Sequence, residues 1–208
     1  MSNNTDFEPF PKLQRLNAGM VITEKVDGTN AQILIKVDGC HPTDEFCHHV
    51  VIDGEIYHIR AGSRKRWVKP GDDNFAFGAW VWEHAEDLIR VLGPGRHFGE
   101  WYGKGIQRGY GKEDKKLALF NVLRWHDQNP VPDWLDVVPT LYKGDFDMGK
   151  LAKIFNWLKD TGSVIAPGFD NPEGIVVYLP SSKTSFKVTY DYDGGKFLPK
   201  DQHGNSIS

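Results

Sequence analysis

The stretch Ile22-Thr23-Glu24-Lys25-Val26-Asp27-Gly28-Thr29-Asn30 joins an apolar run to a turn signal. Apolar alternation before Lys25 predicts a strand, and Asp27-Gly28 is typical of a tight turn between two strands. The Lys25 amine is then presented where a strand ends. A deprotonated amine attacks well and later leaves, so covalent chemistry at Lys25 is one interpretation. The plain alternative is a strand that simply ends in an Asp-Gly turn.

Four later segments carry residue types that nucleotide chemistry uses. They are His97-Phe98-Gly99-Glu100-Trp101, Leu117-Ala118-Leu119-Phe120-Asn121-Val122, Glu173-Gly174-Ile175-Val176-Val177 and Ser185-Phe186-Lys187-Val188-Thr189. With the Lys25 run, and in this order, they resemble motifs I, III, IIIa, IV and V of the ATP-dependent nucleic-acid ligase superfamily of covalent nucleotidyltransferases. The Thr29-Asn30 extension is more similar to the RNA-ligase branch, often carried by phages, than to the DNA-ligase or mRNA-capping branches.

The resemblance implies a role for each matched residue. In this family the motif I lysine, here Lys25, attacks the α-phosphorus of ATP and holds AMP as a phosphoramidate. Glu100 would contact the ribose hydroxyls, and Phe120 would stack on adenine. Glu173 would hold the catalytic metal, and Lys187 would contact the α-phosphate. Phe120 has a plain alternative as an ordinary core phenylalanine of a strand.

The resemblance also implies the remaining nucleotide contacts and the cofactors. Glu24 and Asn30 flank the nucleophile and belong to the nucleotide site, with Asn30 near the joined ends. The cofactors are ATP, with AMP covalently on Lys25, and Mg²⁺ or Mn²⁺. The metal would neutralise the triphosphate and help pyrophosphate to leave. Lys187 and the metal would favour the neutral Lys25 amine through like-charge repulsion.

Two departures from the family pattern stand out. Motif V usually reads Lys-x-Lys, but Thr189 occupies the second lysine position. One phosphate contact is therefore either lost or supplied by another cation such as Lys183. The chain also ends 19 residues after Thr189. We therefore expect a single nucleotidyltransferase domain over residues 1–208, without an appended OB-fold or helical domain.

Two basic segments are candidate nucleic-acid contacts. Residues 60–69 interleave cations with an aromatic residue, where the family places motif Ia, and they contain Arg64 and Arg66. Arg64 is a candidate contact to nucleotide or substrate phosphate because a guanidinium binds phosphate oxygens bidentately. Residues 103–112 fit neither a Rossmann nor a Walker loop, and they offer Lys104 and Arg108 to polynucleotide from a flexible loop. The plain alternative for both segments is a solvated loop.

Composition indicates one compact enzyme with local binding patches. A chain of 208 residues with 39% hydrophobic and 12% aromatic residues can bury one good core. The net charge of -3 excludes a wholly basic nucleic-acid coat. The polar start and the lack of a long apolar run predict a cytoplasmic location, in the host cytoplasm if the gene is phage-borne, and no membrane partner. We expect a monomer.

Apolar periodicity predicts an α+β fold. The predicted strands lie near residues 20–26, 30–37, 50–60, 97–101, 117–124 and 174–179, and the predicted helices cover residues 80–92 and 148–158. We expect antiparallel sheets with flanking helices, an ATP-grasp-like arrangement that holds the nucleotide in a cleft between the sheets.

Cysteine and histidine residues concentrate in the segment from Gly39 to His49. Six residues separate Cys40 from Cys47, whereas structural zinc sites normally have two to four residues between paired ligands, so a zinc site is the weaker interpretation. The stronger one is a polar hairpin tip with reduced thiols.

The motifs together predict an ATP-dependent RNA ligase. Lys25 would be adenylated, AMP would pass to a 5′-phosphate, and a 3′-hydroxyl would displace AMP. The partner would be RNA or DNA with 5′-phosphate and 3′-hydroxyl ends. One alternative is a minimal DNA ligase that seals nicks, and the other is a nucleotide- or nucleic-acid-binding module that has lost turnover.

Overall fold

Two β-sheets and three α-helices form the fold in the computed structural model, which describes residues 8, 10, 11, 13, 18–37, 44–73 and 75–191. In chain order the elements are β1 (Gly19–Lys25), β2 (Thr29–Val37), β3 (His48–Ile52), β4 (Glu55–Gly62), β5 (Trp67–Val68), α1 (Phe77–Glu83), α2 (Ala85–Leu92), β6 (Gly95–Gly103), β7 (Lys115–Leu119), β8 (Asp136–Val137), β9 (Thr140–Asp145), α3 (Met148–Thr161), β10 (Gly174–Leu179) and β11 (Thr184–Thr189). The α+β prediction is confirmed, and the ATP-grasp-like description stays a prediction.

The turn between β1 and β2, which contains Asp27 and Gly28 and is called the motif I turn below, joins the two sheets. The four-stranded sheet has the order β11-β10-β1-β9, and all its pairs are antiparallel. The larger sheet has the order β3-β4-β2-β6-β7-β8, with β5 beside β4. Because β1 belongs to one sheet and β2 to the other, Asp27 and Gly28 lie where the chain passes between them.

The larger sheet forms its core against α1 and α2. On β2 the buried residues Ala31, Ile33 and Ile35 alternate with more exposed neighbours, as the two-residue period of a half-buried strand requires. Leu88 and Leu92 are one helical turn apart on α2 and are fully buried in the same cluster. Burying each such side chain contributes about 1.5–3 kcal/mol.

Helix α3 covers the smaller sheet. Its first turn is capped by Asp147, whose carboxylate accepts a hydrogen bond from the Lys150 amide at 3.0 Å. It ends at Gly162, which has a φ of +83° that favours glycine. Leu158 is fully buried with Ile22 and Ile175 of the sheet. No helix in the described residues is long and apolar enough to cross a membrane.

Three predicted elements differ from the structure. The strand expected over residues 50–60 is two strands, because Asp53 and Gly54 both have positive φ and form a hairpin turn. The helix expected over residues 80–92 is two helices that begin at Phe77 and break at His84, whose φ of -102° and ψ of 19° lie outside the helical range. The strand expected over residues 117–124 ends at Leu119.

The cysteine-containing segment is not a hairpin tip. Strands β2 and β3 do not pair with each other, because both pair with β4, which lies between them in the sheet. Cys40 lies outside the described residues. Ligand atoms of Cys47, His49 and His58 lie within 4.8 Å of one another. Cys47 is disulfide-bonded, so the expected reduced state is wrong for it, and its sulfur is not a thiolate ligand.

Candidate active site

A cavity of about 670 Å³ is lined by residues of both sheets. The predicted site residues on its wall are Glu24, Lys25, Asn30, Arg64, Glu100 and Phe120. Its size falls within the usual range of about 300–1,000 Å³ for small-molecule sites. The cavity therefore lies where the cleft between sheets was predicted, although its residues are far apart in the sequence.

Lys25 and Glu173 form an ion pair at this cavity. The Nζ of Lys25 donates to Oε2 of Glu173 at 2.5 Å. The pairing of β1 with β10 sets this distance, because Lys25 lies opposite Gly174, the residue after Glu173. The side chains are only 23% and 16% exposed, so the pair is partly shielded from water. This geometry brings together two residues that the sequence separates by 148 positions.

Glu100 and Asn30 share the cavity wall because they are directly opposite each other on β6 and β2. The Glu100 carboxylate accepts a hydrogen bond from the Gly28 backbone. Burial raises the pKa of Glu100 to about 7, against the opposing effect of the Lys25 charge. A bound cation would favour the ionised form of Glu100 and so oppose this rise.

Gly28 is required by the close approach of the motif I turn to β6. A Cβ atom at this position would lie 2.4 Å from the backbone oxygen of Trp101. Any larger residue would push the turn away from β6 and shift Lys25 and Asn30 on either side of it. The glycine of the Lys-x-Asp-Gly pattern therefore has a packing reason here.

Glu24 lines the cavity, but its carboxylate is buried and already hydrogen-bonded. Its carboxylate is 1% exposed and accepts hydrogen bonds from Ser163 Oγ at 2.6 Å, Val164 N at 2.8 Å and Ile165 N at 3.0 Å. Burial raises the pKa of Glu24, and these hydrogen bonds oppose the rise. The carboxylate thus fastens the segment after α3, and a nucleotide contact by Glu24 stays a prediction.

Phe120 is exposed to the cavity rather than packed in the core. It is 38% exposed, and its amide donates to the Phe98 carbonyl at 2.9 Å. Phe98 also lines the cavity and is 47% exposed. The wall thus carries two accessible aromatic rings. Sequence reasoning missed Phe98, although counting back by two from Glu100 along a strand would have found it.

Lys187 lies on the cavity side of β11. It is exposed and directly opposite Val176, which lines the cavity. Thr189 pairs with Gly174 at one end of β11, whereas Lys183 precedes the other end, and a phosphate contact by Lys183 stays a prediction. Arg96 and Arg124 line the cavity and are cations that sequence reasoning missed.

The four predicted nucleic-acid contacts do not share one environment. Arg64 is exposed and lines the cavity. Arg66 pairs with Asp72 at 3.0 Å and Lys104 with Glu113 at 3.2 Å, in both cases on the surface. Arg108 differs from the other three, because its side chain is only 14% exposed.

The comparisons with known proteins place the chain in a family. A model of the RNA ligase family matches residues 19–189, and the chain therefore belongs to the RNA ligase family. No curated protein matches the chain.

Solved structures of similar fold include variants of Naegleria gruberi RNA ligase. Two variants with ATP and Mn share 18% and 16% identity with this chain, with TM-scores of 0.51 and 0.53. The matches cover 83% and 84% of this chain and 49% and 50% of those chains. A variant with AMP and Mn shares 17% identity at a TM-score of 0.52, over 84% of this chain and 50% of that one. This chain thus spans about half the length of those ligases, and at these identities the likeness shows the fold alone.

We expect the stability of the protein to depend on pH through Glu100. Its pKa of about 7 in the folded protein lies above the ordinary value of 4.5. Between these pH values the unfolded chain binds fewer protons than the folded protein, so the free energy of unfolding falls as pH rises. The stabilisation is complete below pH 4.5 and is lost as pH rises through 7.

Urea denaturation of the wild type and Glu100→Gln, in buffer with a metal chelator, measures this effect. Relative to Glu100→Gln, the wild type should lose up to roughly 3 kcal/mol of unfolding free energy over this range. Parallel pH profiles for the two proteins would contradict the assignment.

Proposed function

We propose that the chain is the nucleotidyltransferase domain of an ATP-dependent RNA ligase, covering residues 1–208, that works through a lysyl-AMP intermediate. The observation that carries the proposal is the Lys25–Glu173 ion pair beside a cavity with Glu100 and Phe120 on its wall. Membership of the RNA ligase family supports the same reaction class.

In the first step Lys25 acts as the nucleophile. Its Nζ forms a bond to the α-phosphorus of ATP while the bond from that phosphorus to the bridging oxygen breaks, and pyrophosphate leaves. Glu173 Oε2, at 2.5 Å, is positioned to accept a proton from Nζ. Lys187 provides positive charge for the α-phosphate from the neighbouring strand.

The cavity provides contacts for the rest of the nucleotide. Ionised Glu100 accepts hydrogen bonds from the ribose hydroxyls, since a carboxylate is an acceptor only in that form. The exposed face of Phe120 is available to stack on adenine. Asn30 can donate and accept beside Glu100, and Arg64 provides a guanidinium for the phosphates.

Glu173 fits a divalent cation. Magnesium and manganese prefer oxygen ligands, and the Glu173 carboxylate is partly accessible beside the nucleophile. A bound ion would neutralise charge on the triphosphate and on the departing pyrophosphate. The similar Naegleria ligase structures were solved with Mn.

The later steps join nucleic-acid ends. AMP passes from Lys25 to a 5′-phosphate, and a 3′-hydroxyl then displaces AMP to form the phosphodiester. Ligation of matched RNA, DNA and hybrid substrates, each nicked or single-stranded, tests the choice of RNA. Joining of nicked DNA alone would identify a minimal DNA ligase. ATP binding without any AMP transfer would identify a module that has lost turnover.

The first test of the mechanism removes the nucleophile. Wild type incubated with ATP labelled at the α-phosphate, and with Mg²⁺ or Mn²⁺, should retain label after denaturation. Lys25→Ala should retain none, because the change removes the proposed nucleophilic amine. Lys25→Arg should fail as well, since a guanidinium stays protonated.

Circular dichroism should show both Lys25 variants folded, because the side chain lies outside the described hydrophobic clusters. Label on folded Lys25→Ala would overturn the assignment of the nucleophile.

A second test separates nucleotide affinity from folding. Phe120→Ala should weaken ATP binding by roughly 1–3 kcal/mol if the ring stacks on adenine. Phe186→Ala is the matched control, because Phe186 is 54% exposed but does not line the cavity. Calorimetric titration with ATP measures both variants. Equal affinity for Phe120→Ala and Phe186→Ala would exclude the stacking role.

A third test concerns the cationic surface. Joining should fall steeply between about 50 and 200 mM salt, whereas self-adenylation should change much less, because only joining requires many phosphate contacts. Changing Arg64 and Arg66 together to Ala should reduce AMP transfer to a 5′-phosphorylated strand. Asp72, which pairs with Arg66 at the surface, should not prevent phosphate binding because exposed ion pairs are weak. If joining and self-adenylation depended equally on salt concentration, the surface that carries Arg64 and Arg66 would not be the one that binds the nucleic-acid substrate.

A further inference from the structure

The loop between β6 and β7 holds Asp27, which lies in the turn between β1 and β2. It contacts both the backbone amide and the side-chain carboxylate of Asp27. The hydroxyl of Tyr110 accepts a hydrogen bond from the Asp27 amide at 2.8 Å. The Nε of Arg108 donates to Oδ2 of Asp27 at 3.0 Å. Asp27 is two residues after Lys25, so these contacts fix the chain immediately beside the proposed nucleophile.

The same guanidinium reaches two other segments of the site. Its Nη1 donates to the carbonyl of Asn171 at 3.4 Å, two residues before Glu173. Its Nη2 donates to the carboxylate of Asp191, which follows β11. One side chain thus contacts the segments that carry Lys25 and Glu173 and the segment that follows Lys187.

Burial distinguishes Arg108 from a surface cation. Its side chain is 14% exposed, whereas that of Lys104 in the same loop is 65% exposed. Tyr110, two residues later, is 2% exposed and packs its ring against Tyr102 and Phe169. The loop around Arg108 is therefore anchored in the protein, and the Arg108 side chain is mostly shielded from solvent.

We propose that Arg108 is a positioning residue for self-adenylation. Its guanidinium sets the position of Lys25 relative to Glu173. The inference rests on the proposed function. A guanidinium suits the role because its planar group donates in several fixed directions at once, whereas an ammonium cannot bridge the same three partners. Displacement of a reacting group by about 1 Å can cost a factor of 10² in rate. Arg108 does not line the cavity, so its loss should slow the chemistry and leave nucleotide affinity nearly intact.

The test compares single-turnover AMP transfer in the wild type, Arg108→Ala and Arg108→Lys over a range of ATP concentrations. Arg108→Ala should lower the maximal rate of self-adenylation by roughly 10–100-fold, with the half-saturating ATP concentration changed by no more than about threefold. Arg108→Lys should lie between the two. Added guanidinium ion, at concentrations that do not unfold the protein, should restore part of the rate to Arg108→Ala only. Arg90→Ala is the matched control, because Arg90 forms surface ion pairs on α2.

Two further measurements separate positioning from folding. Circular dichroism and urea midpoints identify any variant that fails to fold, and in that case Arg108→Lys provides the comparison. Asp27→Asn should also slow self-adenylation. If the two groups act as a pair, the double variant with Arg108→Lys should lose less activation free energy than the sum of the losses in the two single variants.

The outcomes distinguish this inference from the proposed function. Absence of AMP on the wild type would overturn the proposed function, and this inference with it. Normal self-adenylation by Arg108→Ala, with reduced AMP transfer to a 5′-phosphorylated RNA, would agree with the proposed ligase function. It would overturn the positioning role in favour of a direct nucleic-acid contact by Arg108.

Discussion

The ion pair between Lys25 and Glu173 is the interaction on which the rest of the site depends. It exists because β1 and β10 pair in a register that sets Lys25 beside the residue preceding β10. A one-residue slip of that register would turn Lys25 to the opposite face of the sheet. Removing one partner would leave a partly buried charge without its counterion, and that outcome is usually more costly than losing the pair as a whole. The sheet therefore supplies the precision that the proposed chemistry requires.

The second constraint is the turn that carries the chain from one sheet to the other. Gly28 lets this turn lie against β6, and Asp27 is held by the hydroxyl of Tyr110 and the guanidinium of Arg108. The cavity is lined by residues of β1 and β2, the two strands that this turn connects. The turn therefore fixes the position of the Lys25 amine relative to Asn30 on the cavity wall. Glu24, which precedes Lys25 on β1, also links this strand to the segment after α3 through three hydrogen bonds.

The sequence motifs predicted best which residues would lie close together. Lys25, Glu100 and Phe120 each lie in a short ordered motif, and the structure brings all three to one cavity. The role of Arg108 could not be predicted, because its partner Asp27 is 81 positions away and a cation in a glycine-rich loop resembles a surface contact. The break at His84 was missed for a related reason, since the apolar spacing of the two helices continues across it.

Peptide mass spectrometry after incubation with ATP and Mn²⁺ tests the central claim most directly. The account predicts an acid-labile AMP adduct on the peptide that contains Lys25, formed with release of one pyrophosphate per adduct and discharged when 5′-phosphorylated RNA is added. Pyrophosphate release without an adduct, or an adduct on a different residue, would contradict it.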